Sequence, residues 1–235
     1  TEISTEWSKT VINECKKISK EISKEDIETR RDFRSLNFVT IDGSNAKDFD
    51  DAVYAEELSD GFRLYVAIAD VSAYVTKDSQ LDKEAFSRAT SVYFEKKVIP
   101  MLPELISNQL CSLRPNEDKL VLTCEIYLDN RGEIKDFEFF NSVICSKNRL
   151  TYDEVEKFYQ KGQTALLDDA VNNLRVLKKI HSLRRKIRED RKAIDFYLPE
   201  YRPVGKDNKI IKFKATSNLL ANEVIEESMI LANIC

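Results

Sequence analysis

The run Phe62-Arg63-Leu64-Tyr65-Val66-Ala67-Ile68-Ala69 narrows the choice of fold more than any other stretch. It carries apolar residues at both odd and even positions, so both of its faces are expected to be covered, which places it inside a sheet rather than at the rim. Ser59-Asp60-Gly61 turns it back onto Val53-Tyr54-Ala55. Asn130-Arg131-Gly132 joins a second strand pair, Val121–Asp129 and Glu133–Ser146. A last pair is expected over Ala193–Leu198 and Lys209–Ala215, around Gly205-Lys206-Asp207-Asn208. Hairpin-linked strands run antiparallel. The fold class is therefore α/β (α+β), with a mixed, largely antiparallel sheet and flanking helices.

The helices are read from apolar spacing. Leu81 to Thr90 is one, and Tyr152 to about Gln160 is another, with Thr151 as its N-cap. A longer helix covers about Ala165 to Arg191, and an amphipathic one covers Asn218 to Cys235, with Glu223, Glu226 and Glu227 close to one face. Residues 1–35 form a helical connector, in which Ser23 and Asp26 make a short capping-box pattern. Ser91 to Phe94 and Val98 to Pro103 are extended or turning, because prolines forbid a helix there. The end of the long helix, Lys178 to Arg188, is strongly basic. It is either an RNA-facing patch or a solvated helix face with Ile180, Leu183 and Ile187 turned inward.

Directly after the apolar run Phe38-Val39-Thr40-Ile41 comes Asp42-Gly-Ser-Asn-Ala-Lys-Asp48-Phe-Asp50-Asp51. An extended backbone points Asp48 and Asp50 to one side and Asp51 to the other. Two charges about 5 Å apart at an effective dielectric near 20 repel by roughly 3 kcal/mol. Converging carboxylates must take up protons, splay into water or bind a cation. An oxygen-only set suits Mg²⁺ or Mn²⁺, and with one histidine, His181, the chain has too few histidines for a typical zinc site. The alternative is a polar turn with scattered surface acids. The spacing is not that of an EF-hand. Asp70, at the end of the central run, either joins the cluster or begins a turn.

Composition bounds the setting. The net charge of −4 excludes a uniformly basic nucleic-acid coat but leaves room for a local basic groove. Five widely spaced cysteines with no Cys-x-x-Cys pattern are expected to be reduced thiols, which points to the cytoplasm. No apolar run reaches the length of a membrane span, and no signal-peptide core is seen at the N-terminus.

Taken together, the motifs resemble those of the ribonuclease II/ribonuclease R exoribonucleases, and ribonuclease R more closely. The resemblance rests on Phe38 to Tyr54, on Tyr65-Val-Ala-Ile-Ala-Asp70-Val-Ser, on Ser91-Val-Tyr93-Phe and on Ile99-Pro-Met-Leu-Pro103. Leu110-Cys-Ser-Leu113 and Val224-Ile-Glu226-Glu227-Ser-Met-Ile-Leu-Ala-Asn233 follow in the same order. It runs from about Arg31 onward and implies that residues 36–235 are the N-terminal portion of a ribonuclease II-type catalytic domain.

The activity implied is processive 3′→5′ hydrolysis of single-stranded RNA to nucleoside 5′-monophosphates, with Mg²⁺ (or Mn²⁺) as cofactor. The family's acidic positions carry over to Asp42, Asp48, Asp50 and Asp51, with Asp42 and Asp51 as direct metal ligands and Asp50 as the carboxylate whose loss stops chemistry. Tyr93 and Phe196 match an aromatic clamp on the terminal bases, and stacking of that kind accepts any base. Tyr152 and Glu226 match positions that distinguish ribose from deoxyribose. Cold-shock-type and S1-type OB domains, an Arg-rich phosphate-gripping motif and a further catalytic Glu of the family have no counterpart here. The expectation is weak or no activity from this portion alone. The competing readings are an RNA-binding or regulatory module without turnover, and a domain that binds a divalent ion for structure.

Overall fold

The computed structural model describes residues 5–94, 97–162, 168–194, 200–206, 209–216 and 218–235. Its chain divides into two compact units, one made of Lys20–Asp70, Cys111–Ala193 and Leu219–Cys235, the other of Thr1–Ser19, Val71–Leu110 and Ile194–Asn218.

The first unit is built on a seven-stranded sheet. Its strands are β1 (Arg31–Asp32), β2 (Val39–Asp42), β3 (Asp51–Leu58), β4 (Gly61–Ala69), β7 (Asp118–Asp129), β8 (Ile134–Cys145) and β9 (Asn148–Thr151). They lie in the order β1-β8-β7-β4-β3-β2-β9. The five inner strands are antiparallel, while β1 on β8 and β9 on β2 are parallel. The sheet is thus mixed and largely antiparallel, and β4 lies at its centre, as the apolar run requires. The turn glycine Gly61 is held at φ +156°, where a Cβ would lie 1.9 Å from the Leu128 carbonyl oxygen, so no side chain fits between β4 and β7.

Three helices of this unit, α4 (Tyr152–Lys161), α5 (Asp168–Asp190) and α6 (Leu220–Ile234), contribute to one apolar core with the sheet. Val39, Ile41, Val53, Leu64, Val66 and Ile126 point into it from the strands. Leu174, Leu177, Ile180, Val224 and Leu231 point into it from the helices. Thr151 and Glu154 form the capping box that starts α4, and Ser23 and Asp26 form that of α2 (Lys24–Glu28).

At the basic end of α5, Ile180 and Leu183 turn toward the core, and several of the cations are taken up by ion pairs. Ile180 is buried, and Arg184 is buried too, its Nε 3.4 Å from Glu227. Arg188 reaches the same carboxylate and Arg185 reaches Glu223. Glu223 and Glu227 are therefore consumed by the α5–α6 seam, while Glu226 stays exposed. His181 is buried 3.5 Å from Glu223, and burial lowers its pKa, which keeps it neutral.

The second unit contains α1 (Lys9–Cys15), α3 (Gln80–Arg88) and two hairpins, β5 (Val92–Tyr93) with β6 (Val98–Ile99) and β10 (Glu200–Lys206) with β11 (Lys209–Thr216). Glu14 of α1 accepts from the backbone N–H groups of Gln80 and Leu81, capping α3, and Arg88 lies 3.7 Å over the Trp7 ring. The first strand of the last pair lies later than expected. It is Glu200–Lys206, while Ala193 and Ile194 are irregular and 195–199 lie outside the described residues. Gly205 and Lys206, expected in the turn, belong to this strand, which also includes Pro203; a two-stranded ribbon is all edge and tolerates a proline.

Candidate active site

The four aspartates sit at one end of the large sheet because two strands deliver them. Asp42 closes β2, whose Val39 and Ile41 are anchored in the core, and Asp51 opens β3. The connecting loop carries Asp48 and Asp50 on either side of Phe49, which is buried. That alternation is the one expected of an extended backbone.

The loop is tied down on two flanks. The buried Ser112 hydroxyl donates to the Lys47 carbonyl at 2.9 Å and accepts from the Phe49 N–H at 3.1 Å. The Leu113 N–H donates to the Phe49 carbonyl at 2.8 Å. From β9, Arg149 donates to the carbonyls of Gly43 and Ser44 and lies 5.4 Å from the Phe49 ring. The loop's partners Ser112, Leu113 and Arg149 therefore come from two segments far away in sequence.

The electrostatics of the cluster are unfavourable as it stands. Burial, then Asp51, then Asp50 push the Asp42 carboxyl up to about 7; Arg149 pulls the other way and Asp48 adds to the rise. Asp51 is pushed up to about 6 by burial and by Asp50, and Asp50 is raised by desolvation and by Asp48. The Asp42 Oδ2 atom is buried and has no hydrogen-bond partner among the described residues. An orphaned carboxylate oxygen among mutually raised acids is a donor set that a hard oxygen-seeking cation would relieve. Among the described residues, however, no group of three or more His, Cys, Asp or Glu is placed so that it could hold a metal ion as it stands.

Asp70 stands directly before a turn of 3-10 helix, Val71–Ala73, as its place at the end of the central run suggests. It forms an ion pair at 2.7 Å with Arg30, both side chains largely buried. The neighbouring Cys111 is also buried, and desolvation, with Asp50 and Asp70 adding, pushes its thiol up to about 12, which removes it as a nucleophile.

Tyr152 is the second residue that the structure brings to the acids. It begins α4, and burial together with Asp42 and Asp51 pushes its phenol up to about 12, so it remains a neutral donor. The Asn222 side chain hydrogen-bonds it from the first turn of α6. Glu226 lies one helical turn after Asn222, on the same side of α6, and is exposed. Tyr93 belongs to the other unit, where it stands on β5, 65% exposed. Phe196 lies outside the described residues. Ser112, Arg149 and Asn222 were not singled out in advance. Only Ser112 had a signal, its place within Leu110-Cys-Ser-Leu113.

This architecture has known counterparts. Residues 30–235 match the RNB domain family, and the chain belongs to it. It is 47% identical over 193 residues to the ribonuclease R of Acidithiobacillus ferrooxidans, covering 81% of this chain and 44% of that one. It is 41% identical over 233 residues to the ribonuclease R of Escherichia coli (strain K12), covering 97% of this chain and 28% of the relative. The structure of Mycoplasma genitalium RNase R in complex with ribose methylated single-stranded RNA superimposes with a TM-score of 0.93 at 37% identity, covering 98% of this chain and 36% of that one. The chain thus spans less than half the length of these relatives.

Proposed function

We propose that this chain supplies the acidic part of a 3′→5′ exoribonuclease centre that hydrolyses single-stranded RNA processively to nucleoside 5′-monophosphates in the cytoplasm. The observation that carries the proposal is the pair Asp42 and Asp51, pushed up to about 7 and 6 by burial and like charge at one sheet end, in a chain of the RNB family. Asp42 and Asp51 are the ligands of Mg²⁺ or Mn²⁺ in this reading, with Asp48 beside them and Asp50 needed for the chemical step. When bound, such an ion supplies Lewis acidity, activating water and offsetting charge that builds on the phosphate. Ser112 and Arg149 hold the backbone that carries the acids, so little reorganisation is needed when substrate arrives. Tyr152, neutral at working pH, donates toward the ribose, and Glu226 on the neighbouring turn accepts from its 2′-OH. Tyr93 and Phe196 stack on terminal bases, each worth about 1–3 kcal/mol regardless of sequence.

A second reading is an RNA-binding or regulatory module that does not turn over. It is favoured by one finding, that no three acids among the described residues are placed to hold a metal as they stand. Digestion of 5′-labelled single-stranded RNA in Mg²⁺ separates the two, run on this chain and on a polypeptide extended to the relatives' length. Asp50→Asn and DNA of the same sequence serve as controls. A shortening ladder with mononucleotide release, absent in the variant and on DNA, is expected from the extended polypeptide. RNA binding without cleavage by both polypeptides would establish the module instead.

A further inference from the structure

Helix α6 begins without a side-chain cap from its own N-cap residue. That residue is Leu219, whose side chain makes no capping hydrogen bond, so N–H groups of the first turn need partners from elsewhere. Glu156 of α4 supplies one. Its Oε2 accepts from the Ala221 N–H at 3.1 Å, 65 residues away in sequence. Its Oε1 accepts from the Gln160 side chain at 2.8 Å, one turn further along α4. The Glu156 side chain is half-buried and stands at the positive end of a 15-residue helix, where a negative charge is favoured. A cap borrowed from a second helix fixes where the two helix starts lie relative to each other.

What the cap fixes is set by its neighbours. Tyr152, the first residue of α4, stands one turn before Glu156 on the same side of that helix. Asn222 follows Ala221 directly, and its Oδ1 accepts from the Leu219 N–H at 3.3 Å. Glu226 stands one turn after Asn222. We propose that Glu156 is a positioning residue for sugar recognition, which by capping α6 from α4 holds Glu226 in register with Tyr152 around a ribose 2′-OH. The inference rests on the roles given to Tyr152 and Glu226 above and adds the residue that sets their spacing. Glu156 acts through the two of them. A 2′-OH both donates and accepts, so reading it takes two protein groups in fixed register, and a strand without the hydroxyl gains nothing from that register.

The test uses the polypeptide extended to the relatives' length, carrying Asp50→Asn so that strands bind in Mg²⁺ without being cut. Fluorescence anisotropy gives Kd for a labelled single-stranded RNA and for the same strand with deoxyribose in its 3′-terminal nucleotides. Glu156→Ala should lower the deoxyribose-to-ribose ratio of Kd by about fivefold, the weight of one lost cap, through weaker binding of the ribose strand alone. Glu156→Gln keeps an acceptor for the Ala221 N–H and should restore most of the ratio. Glu156→Asp keeps the charge but shortens the reach by one methylene, and it decides the question should the alanine variant not fold; it too should lower the ratio. A general loosening of the fold would weaken both strands together and leave the ratio where it was. A ratio unchanged by Glu156→Ala and Glu156→Asp, or a fall that Glu156→Gln does not reverse, would overturn the proposal. No preference for ribose with Glu156 in place would remove the roles of Tyr152 and Glu226 themselves, and the proposal with them.

Discussion

The sheet end that carries Asp42, Asp48, Asp50 and Asp51 and the seam between α5 and α6 concentrate charge within the same compact unit, under opposite rules. At the seam every buried acid has a cation. Glu227 meets Arg184 and Arg188, Glu223 meets Arg185, and Arg184 also donates to the Gly132 carbonyl at 3.0 Å. Gly132 sits at φ +85°, and a Cβ there would lie 2.8 Å from the Leu183 side chain, so only glycine lets the hairpin turn of β7 and β8 lie this close to α5. At the sheet end the acids lie close enough to raise one another, Arg149 opposes part of the charge on Asp42, and the Asp42 Oδ2 has no hydrogen-bond partner among the described residues. Charge that is paired serves packing. Like charge held together at a stability cost is kept for something that binds it, which is where a functional reading belongs.

The sharpest break of this contrast is Glu227→Ala. It leaves the buried Arg184 without its buried partner and is expected to cost about 3–5 kcal/mol in urea denaturation. A cost below about 1 kcal/mol would mean that the seam is not held by its pairing. Ser112→Ala removes one donor and one acceptor from the acidic loop, with an expected loss of about 1–2 kcal/mol. In the extended polypeptide it should lower kcat with little change in RNA affinity, because it positions the acids without touching substrate. Lys179→Ala breaks an exposed pair with Glu57 and should change the stability read from urea denaturation by no more than about 0.5 kcal/mol, marking the floor against which the other two are read.

Much of the fold was legible because hairpins announce themselves locally. The apolar run of β4 and the turn chemistry of two hairpins placed β3, β4, β7 and β8, a short apolar run marked β2, and apolar spacing placed α3 to α6. What was not legible depends on distant partners. β1 and β9 are two and four residues long and exist through parallel pairing with β8 and β2, which no local pattern encodes. The aspartates were visible because their spacing sits within one stretch of chain. Arg149, Ser112 and Asn222 were not, since each acts on residues elsewhere in sequence. Helical spacing grouped three glutamates of α6, yet Glu223 and Glu227 serve the seam while Glu226 alone remains available.

The most direct measurement is a ¹³C NMR titration of the aspartate carboxyls, with and without Mg²⁺, alongside thermal stability over the same pH range. Without the cation, Asp42 should titrate near 7 and Asp51 near 6, both above the unfolded value of about 3.9. A raised carboxylate pKa means that the folded chain holds its protons longer. The contribution of these groups is therefore full below about pH 4 and is lost as pH rises through 6 to 7. Mg²⁺ should draw both carboxyls down and restore the stability lost near neutral pH. Asp42→Asn should weaken both effects of the ion. Carboxyls that titrate in the ordinary range, or that ignore Mg²⁺ while the fold stays intact, would contradict the assignment of this sheet end as a cation-dependent centre.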